Sequence, residues 1–212
     1  IMVIALKPIY DLAKIKRVIV STYQAVSGAG KEGIDELDAQ VREHSEGREM
    51  TANILPSASA EKHYPIAFNL IPQIDVFCDN LYTKEEMKMV NETKKIMEDY
   101  EMRITATTIR VPVYRSHSES VNIELEKEVD LGAMREALAK FPGVTVQDDP
   151  SKQEYPMPLY TSEKDDVYVG RLRRDESCEK SYNMWVVGDQ IRKGAALNTL
   201  QIAETMIKNG WI

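Results

Sequence analysis

Arg17–Tyr23 (RVIVSTY), rich in β-branched residues, runs without a break into the small-residue loop Gln24-Ala25-Val26-Ser27-Gly28-Ala29-Gly30. A continuous apolar stretch of that length predicts a buried strand inside a sheet. Glycines at its end let backbone N–H groups approach a ligand closely. A plain tight turn would read the same way, and the loop alone does not separate the two.

Other elements follow from periodicity and punctuation. Residues 1–15 read as a helix broken or kinked by Pro8, and Ile34–His44 as an amphipathic helix with Ile34, Leu37 and Val41 on one face. Residues 45–65 are polar and mixed, which predicts an irregular arm. Ala67–Phe77 contains Pro72 and reads as a strand or extended segment near an edge. Thr83-x-x-Glu86 has the form of a capping box opening a helix to about Asp99. Ile104–Val113, Val121–Leu125, Val144–Val146, Val167–Leu172 and Asn183–Val187 read as strands. Leu131–Phe141, stopped by Pro142-Gly143, and Asn198–Asn209, followed by Gly210, read as helices. Mixed helices and hairpin-like strand runs predict an α+β fold, a mixed or antiparallel sheet with helices on one face.

Composition excludes several classes. A formal charge of −7 over 212 residues argues against nucleic acid or an anionic membrane as partner. The apolar run Ile1–Leu6 is too short to span a bilayer. It opens in mid-core text without a cap or a turn, which predicts further residues upstream. Cys78 and Cys178 form no disulfide framework, and with His44, His63 and His117 scattered no metal is expected. A reducing, cytoplasmic setting fits this usage. Neither cysteine suits a nucleophile. Cys78 closes an apolar run and reads as a small core residue, and Cys178 lies among Asp175, Glu176 and Glu179, which would raise its pKa.

Three further places could carry chemistry. Glu85 and Lys88 share one side of the capped helix, with Glu86 committed to the box. A carboxylate there can hold an ammonium, and a lysine can hold a phosphate. The stripe Glu85, Lys88, Glu92, Lys95 also reads as a solvated face. Arg110 stands in apolar text (Ile109-Arg110-Val111-Pro112-Val113), where a guanidinium either grips a carboxylate or makes a structural ion pair. His117, in a serine-rich turn, can act as an acid or base near neutral pH or simply be hydrogen-bonded. Positions 110 and 117 differ by an odd number, so one unbroken strand would turn them to opposite faces. They share a site only if a bulge or turn intervenes.

Read together, IALKPIYDLAKIKRVIVSTYQAVSGAG, AFNLIPQIDVF, EEMKMVNETKKI, IRVPVYRSHSES and VVGDQIRKGAALNTLQIAE resemble aspartate-semialdehyde dehydrogenase over nearly the whole chain. N-acetyl-glutamyl-phosphate reductase is a looser likeness. The resemblance implies a C-terminal domain like that of glyceraldehyde-3-phosphate dehydrogenase, comprising residues 1–212, and a homodimer. It assigns Gln24 to orienting the substrate, Glu85 and Arg110 to binding it, Lys88 to phosphate and His117 to acid–base work. Ser27, Gly28 and Gln190 would lie against NADP. The implied reaction interconverts aspartyl phosphate with aspartate semialdehyde and phosphate through a cysteine thioester. In the resemblance that cysteine and the NADP-binding half precede the text matching Met2–Pro8, so these residues alone are expected to be inactive. Residues 197–212 are expected to form a helix that packs on that half. The alternative is a non-catalytic homodimerisation or partner-binding domain derived from the same family.

Overall fold

The computed structural model describes residues 1–212. Its elements run α1 (Met2–Leu12), β1 (Ile15–Gln24), a 3-10 turn (Val26–Ala29), α2 (Gly30–Ser45) and α3 (Lys84–Met97). β2 (Arg103–Arg110), β3 (His117–Leu125), α4 (Leu131–Lys140), β4 (Val144–Val146) and the single turn α5 (Pro158–Thr161) follow. β5 (Val167–Arg174), β6 (Ser181–Gly188), a π-helical turn (Arg192–Ala196) and α6 (Leu197–Lys208) complete the chain.

One mixed six-stranded sheet forms in the order β2-β1-β3-β6-β5-β4. β1 is parallel to β2 and β4 to β5, and the remaining pairs are antiparallel. Alternate residues face the helices, so the rows Ala106–Val20–Val121–Met184 and Thr108–Thr22–Glu119–Val186 stack inward. Met2, Leu6 and Ile9 of α1, Met97 of α3 and Met134 and Leu138 of α4 close over them in one core. This is the α+β sheet with helices on one face that the sequence predicts. The opposite face, with Ile19, Ser21, Tyr23, Asn122 and Trp185, stays half-exposed.

Two expectations are corrected. Helix α1 runs unbroken through Pro8. A proline in a helix interior costs about 3 kcal/mol. Burying Met2, Leu6 and Ile9 to 3% exposure or less stabilises by about 1.5–3 kcal/mol each, so packing wins. Cys78 is half-buried at a turn, its N–H donating to the Tyr82 carbonyl (2.8 Å), rather than a core residue. That turn needs Leu81 at φ 68°, which draws Cys78 away from the sheet.

The stretch between α2 and α3 contains no helix or strand, as expected for its first half. Ile71 makes a lone bridge to Arg110 on the outer edge of β2, so Ala67–Phe77 meets the sheet at its edge, but it forms no strand and turns at Phe68 (φ 60°) and Asp75 (φ 67°). No helix is long and apolar enough to cross a membrane.

Candidate active site

β1 and β2 end together while β3 begins and β6 ends at the same edge of the sheet. Gln24 pairs with Arg110, and Tyr23 pairs with Ser118, so Gln24 also stands beside His117. Arg110, Gln24 and His117 therefore form one row across three strands, with all three side chains on the helix-covered face. The parity difficulty disappears because 110 and 117 are not on one strand. Residues 111–116 cross over the end of β1, turning at Ser116 (φ 71°).

The Thr83–Glu86 capping box holds the start of α3 over this row. The Thr83 side chain accepts from the Glu86 N–H (3.2 Å), and the Glu86 carboxylate accepts from the N–H groups of Thr83 (2.8 Å) and Thr108 (3.0 Å). The box thus ties α3 to β2 and leaves Glu85 free, as the sequence predicts. Gln24 Nε2 donates to Glu85 (3.3 Å), and Lys88 Nζ lies 3.6 Å from the same carboxylate.

Gln24, Gly28, Glu85, Lys88, Arg110, His117 and Gln190 line one cavity of about 730 Å³ with Glu119. Of the eight nominated residues only Ser27 is outside its lining. Ser27 sits behind the wall, where its hydroxyl accepts from Gln190 Nε2 (2.6 Å), while Gln190 Oε1 accepts from the Ser116 N–H (3.1 Å). Gln190 thus pins the β1 loop to the β2–β3 crossover.

The loop departs from its predicted role in one respect. Its N–H groups do not face a ligand: Val26 donates to Val113, Ser27 to Tyr114 and Gly28 to Ala25. Gly28 is needed for a different reason, since a Cβ there would lie 2.6 Å from an Arg110 guanidinium nitrogen.

Arg110 is 4% exposed and makes no ion pair. One terminal nitrogen donates to the Ala25 carbonyl (2.7 Å), and its Nε is buried without a partner. Burial lowers its pKa to about 10, against the opposing pull of Glu85. A buried guanidinium with an unmet donor is what an incoming carboxylate would satisfy. His117 Nδ1 accepts from the Ala25 N–H (3.1 Å). Burial, then the positive charges of Arg110 and Lys88, push its pKa down to about 3.

Two buried acids escaped the sequence reading. Glu119, 6% exposed, has an oxygen with no partner, and burial pushes its pKa up to about 7. Its parity with Val121, Ile123 and Leu125 was the available signal. Asp189 is fully buried, accepts from the N–H groups of Glu163, Ile191 and Arg192, and lies 2.7 Å from Arg115 Nε. It anchors the start of the π-helical turn, so its part is structural.

Neither Cys78 nor Cys178 lines the cavity. The arrangement can bind a small zwitterion between a carboxylate and a guanidinium, with a histidine beside it.

Residues 6–193 match the family model described as "Semialdehyde dehydrogenase, dimerisation domain". An aspartate-semialdehyde dehydrogenase of Aquifex aeolicus is 53% identical across 100% of this chain and 60% of its own length. Another from Bacillus subtilis is 50% identical across 98% of this chain and 60% of its length. The chain therefore spans about 60% of the length of these relatives. A crystal structure of aspartate semialdehyde dehydrogenase II from Vibrio cholerae complexed with ASA superposes with a TM-score of 0.90 at 44% identity, covering 98% of this chain and 59% of that one. A Candida albicans aspartate semialdehyde dehydrogenase with NADP shares the fold, with a TM-score of 0.68 at 22% identity, over 98% of this chain and 55% of that one.

Proposed function

The chain belongs to the semialdehyde dehydrogenase dimerisation-domain family, and from that premise we propose that it forms the substrate-binding part of an NADP-dependent aspartate-semialdehyde dehydrogenase in lysine, threonine and methionine biosynthesis. The observation that carries this reading is the Arg110–Gln24–His117 row facing Glu85 and Lys88 across one cavity. Arg110 takes the carboxylate of aspartate semialdehyde and Glu85 its ammonium, which fixes both ends of the amino acid. Gln24, already bonded to Glu85, orients the side chain of the substrate. Lys88 supplies a point charge for phosphate. His117 is the acid–base group beside the reacting oxygen.

NADP, when bound, would supply the hydride acceptor or donor. Gly28 and Gln190 line the cavity beside His117, but the polar groups of Ser27, Gln190 and the loop are already spent on each other. They fit only the reactive end of such a molecule, so the rest must be held by residues outside 1–212. A thioester route likewise needs a thiol from outside these residues, since neither cysteine reaches the cavity.

Helix α6 makes its main contacts with the π-helical turn and buries no residue, with Leu200 and Ile202 more than half exposed. We take it as the element that docks the NADP-binding domain. The open sheet face, where Tyr23 and Trp185 rings lie 5.5 Å apart, is the surface proposed for a homodimer.

The test is phosphate-dependent reduction of NADP by aspartate semialdehyde in the protein with its upstream residues, and R110L as its variant. R110L should lower kcat/KM by roughly 100- to 1,000-fold, the cost of stripping a hydrogen-bonded buried charge of its partner. Equal turnover of a semialdehyde lacking the amino group would remove Glu85 from the role. No turnover at all, with a stable dimer, would leave the non-catalytic reading.

A further inference from the structure

We propose that Glu119 is a positioning residue for His117: its buried carboxylate is the counter-charge that holds the ring when His117 takes up a proton.

His117 and Glu119 stand two residues apart on β3, so both side chains leave the same, helix-covered face. Two residues of strand span about 6.5 Å, which brings an extended carboxylate within reach of the ring. Both line the same cavity. Little else around Glu119 is polar. Val121 follows it on that face, Val186 lies opposite on β6, and Thr22, opposite on β1, has a buried hydroxyl without a partner. Glu119 is 6% exposed, its Oε2 has no partner, and no lysine or arginine offsets its burial. Such a group costs stability unless something meets it.

His117 has the matching need. Arg110 and Lys88 both disfavour a positive charge on its ring. A protonated ring also has no lone pair left for the Ala25 N–H at 3.1 Å, so it loses that bond and needs an acceptor instead. The carboxylates lining the cavity are Glu85, Glu92 and Glu119. Glu85 is held by Gln24 and Lys88, and Glu92 is exposed. Of the other lysines there, Lys7 is bonded to Asp11 and Lys193 to Gln201. Glu119 is the acceptor left without a partner.

The proton moves from the group that His117 deprotonates to the imidazole. Glu119 gives and takes none, and its charge stabilises the imidazolium. Burial keeps Glu119 protonated up to about pH 7, so the counter-charge is present above that pH. That His117 cycles a proton in turnover rests on the function proposed above. The pairing of the two side chains does not.

The test is the pH dependence of kcat/KM in the protein with its upstream residues, compared with E119Q and E119D. Activity should rise with pH through about 7 as Glu119 ionises. E119Q has no charge to gain, so it should lose that limb and fall about ten-fold at pH 8, the equivalent of about one pKa unit of imidazolium stabilisation. E119D should keep the limb. A limb near pH 7 that survives E119Q would overturn the proposal, since a merely structural carboxyl alters the rate and not the ionisation. A second measurement needs neither turnover nor a variant: ¹³C NMR of the His117 ring and the Glu119 carboxyl across the same pH range. The ring signals should shift as the carboxyl titrates, and a ring that ignores the carboxyl would sink the pairing. No turnover, with a ring that follows Glu119, would count against the proposed reaction and not against the pairing.

Discussion

The sheet and the arm that follows α2 are held together by opposite means. Across the sheet, side chains supply apolar bulk and the backbone ladder satisfies its own polar groups, with 23 buried hydrophobic residues in one cluster. In the arm the backbone has no ladder, and only Leu55, Ile66, Ala67 and Ile71 cluster there, packed against Val26 and Leu37. Polar side chains of α2 do the ladder's work. Gln40, fully buried, donates to the Thr51 carbonyl (2.8 Å) and accepts from the N–H groups of Ile66 (2.8 Å) and Ala67 (3.0 Å). Glu36 accepts from Asn53 and Ile54, and Glu43 from Thr51. An irregular segment can be well ordered when a helix lends it acceptors, because what matters is that buried N–H groups are paired, not what pairs them.

That contrast can be broken from either side. Leu6→Ala, in the main core, should cost the most, about 2–5 kcal/mol, and lower the stability of the whole domain in denaturant melts. Gln40→Ala strands two arm donors and one acceptor, at about 1–3 kcal/mol for each buried group left unpaired. Amide exchange should speed up around 51–54 and 66–67 and stay unchanged in β1, β3 and β6. Equal acceleration in the sheet would mean that arm and sheet unfold as one unit. Thr83→Ala, at the seam between the two regions, removes half of the capping box and should cost about 1 kcal/mol. Its exchange signature should be confined to the first turn of α3.

The smallest effect concerns pH, because two buried groups at the site oppose each other. His117 has its pKa lowered from 6.5 to about 3, so the folded state binds fewer protons than the unfolded one between those values. Its contribution is complete above pH 6.5 and is lost as pH falls toward 3. Glu119 has its pKa raised from 4.5 to about 7, so its contribution is complete below pH 4.5 and is lost as pH rises through 7. Between pH 4.5 and 6.5 the slopes run in opposite senses, and stability should be nearly flat. H117Q should then show stability falling as pH rises through that window, and E119Q stability falling as pH drops. Parallel slopes in the two variants would show that the groups do not titrate independently.

How much was legible varied with how local the cause was. The strand RVIVSTY, the capping box and the Pro-Gly stop of α4 follow from neighbouring residues and appear close to where they were expected. A lone polar residue in apolar text singled out Arg110, and the structure places it in the lining of the cavity. Pro8 misled because helix propensity counts one lost hydrogen bond and cannot see the sheet under α1. The loop's N–H groups misled for the same reason, since their acceptors at Ala25, Val113 and Tyr114 lie partly some 87 positions away in the chain, as with Val26 and Val113. Ala25 gave no signal at all, because a backbone role leaves no trace in residue type.

The sequence by itself determined the elements, the inward face of each strand and the chemical kinds available to a site: a guanidinium, a carboxylate, an amide and an imidazole. Only the tertiary structure decided that they meet. β1 inserts between β2 and β3, and that non-local pairing turns residues 24, 110 and 117 into neighbours in one row. Strand order is set by the summed burial of whole strands, and no residue near 110 or 117 carries that information.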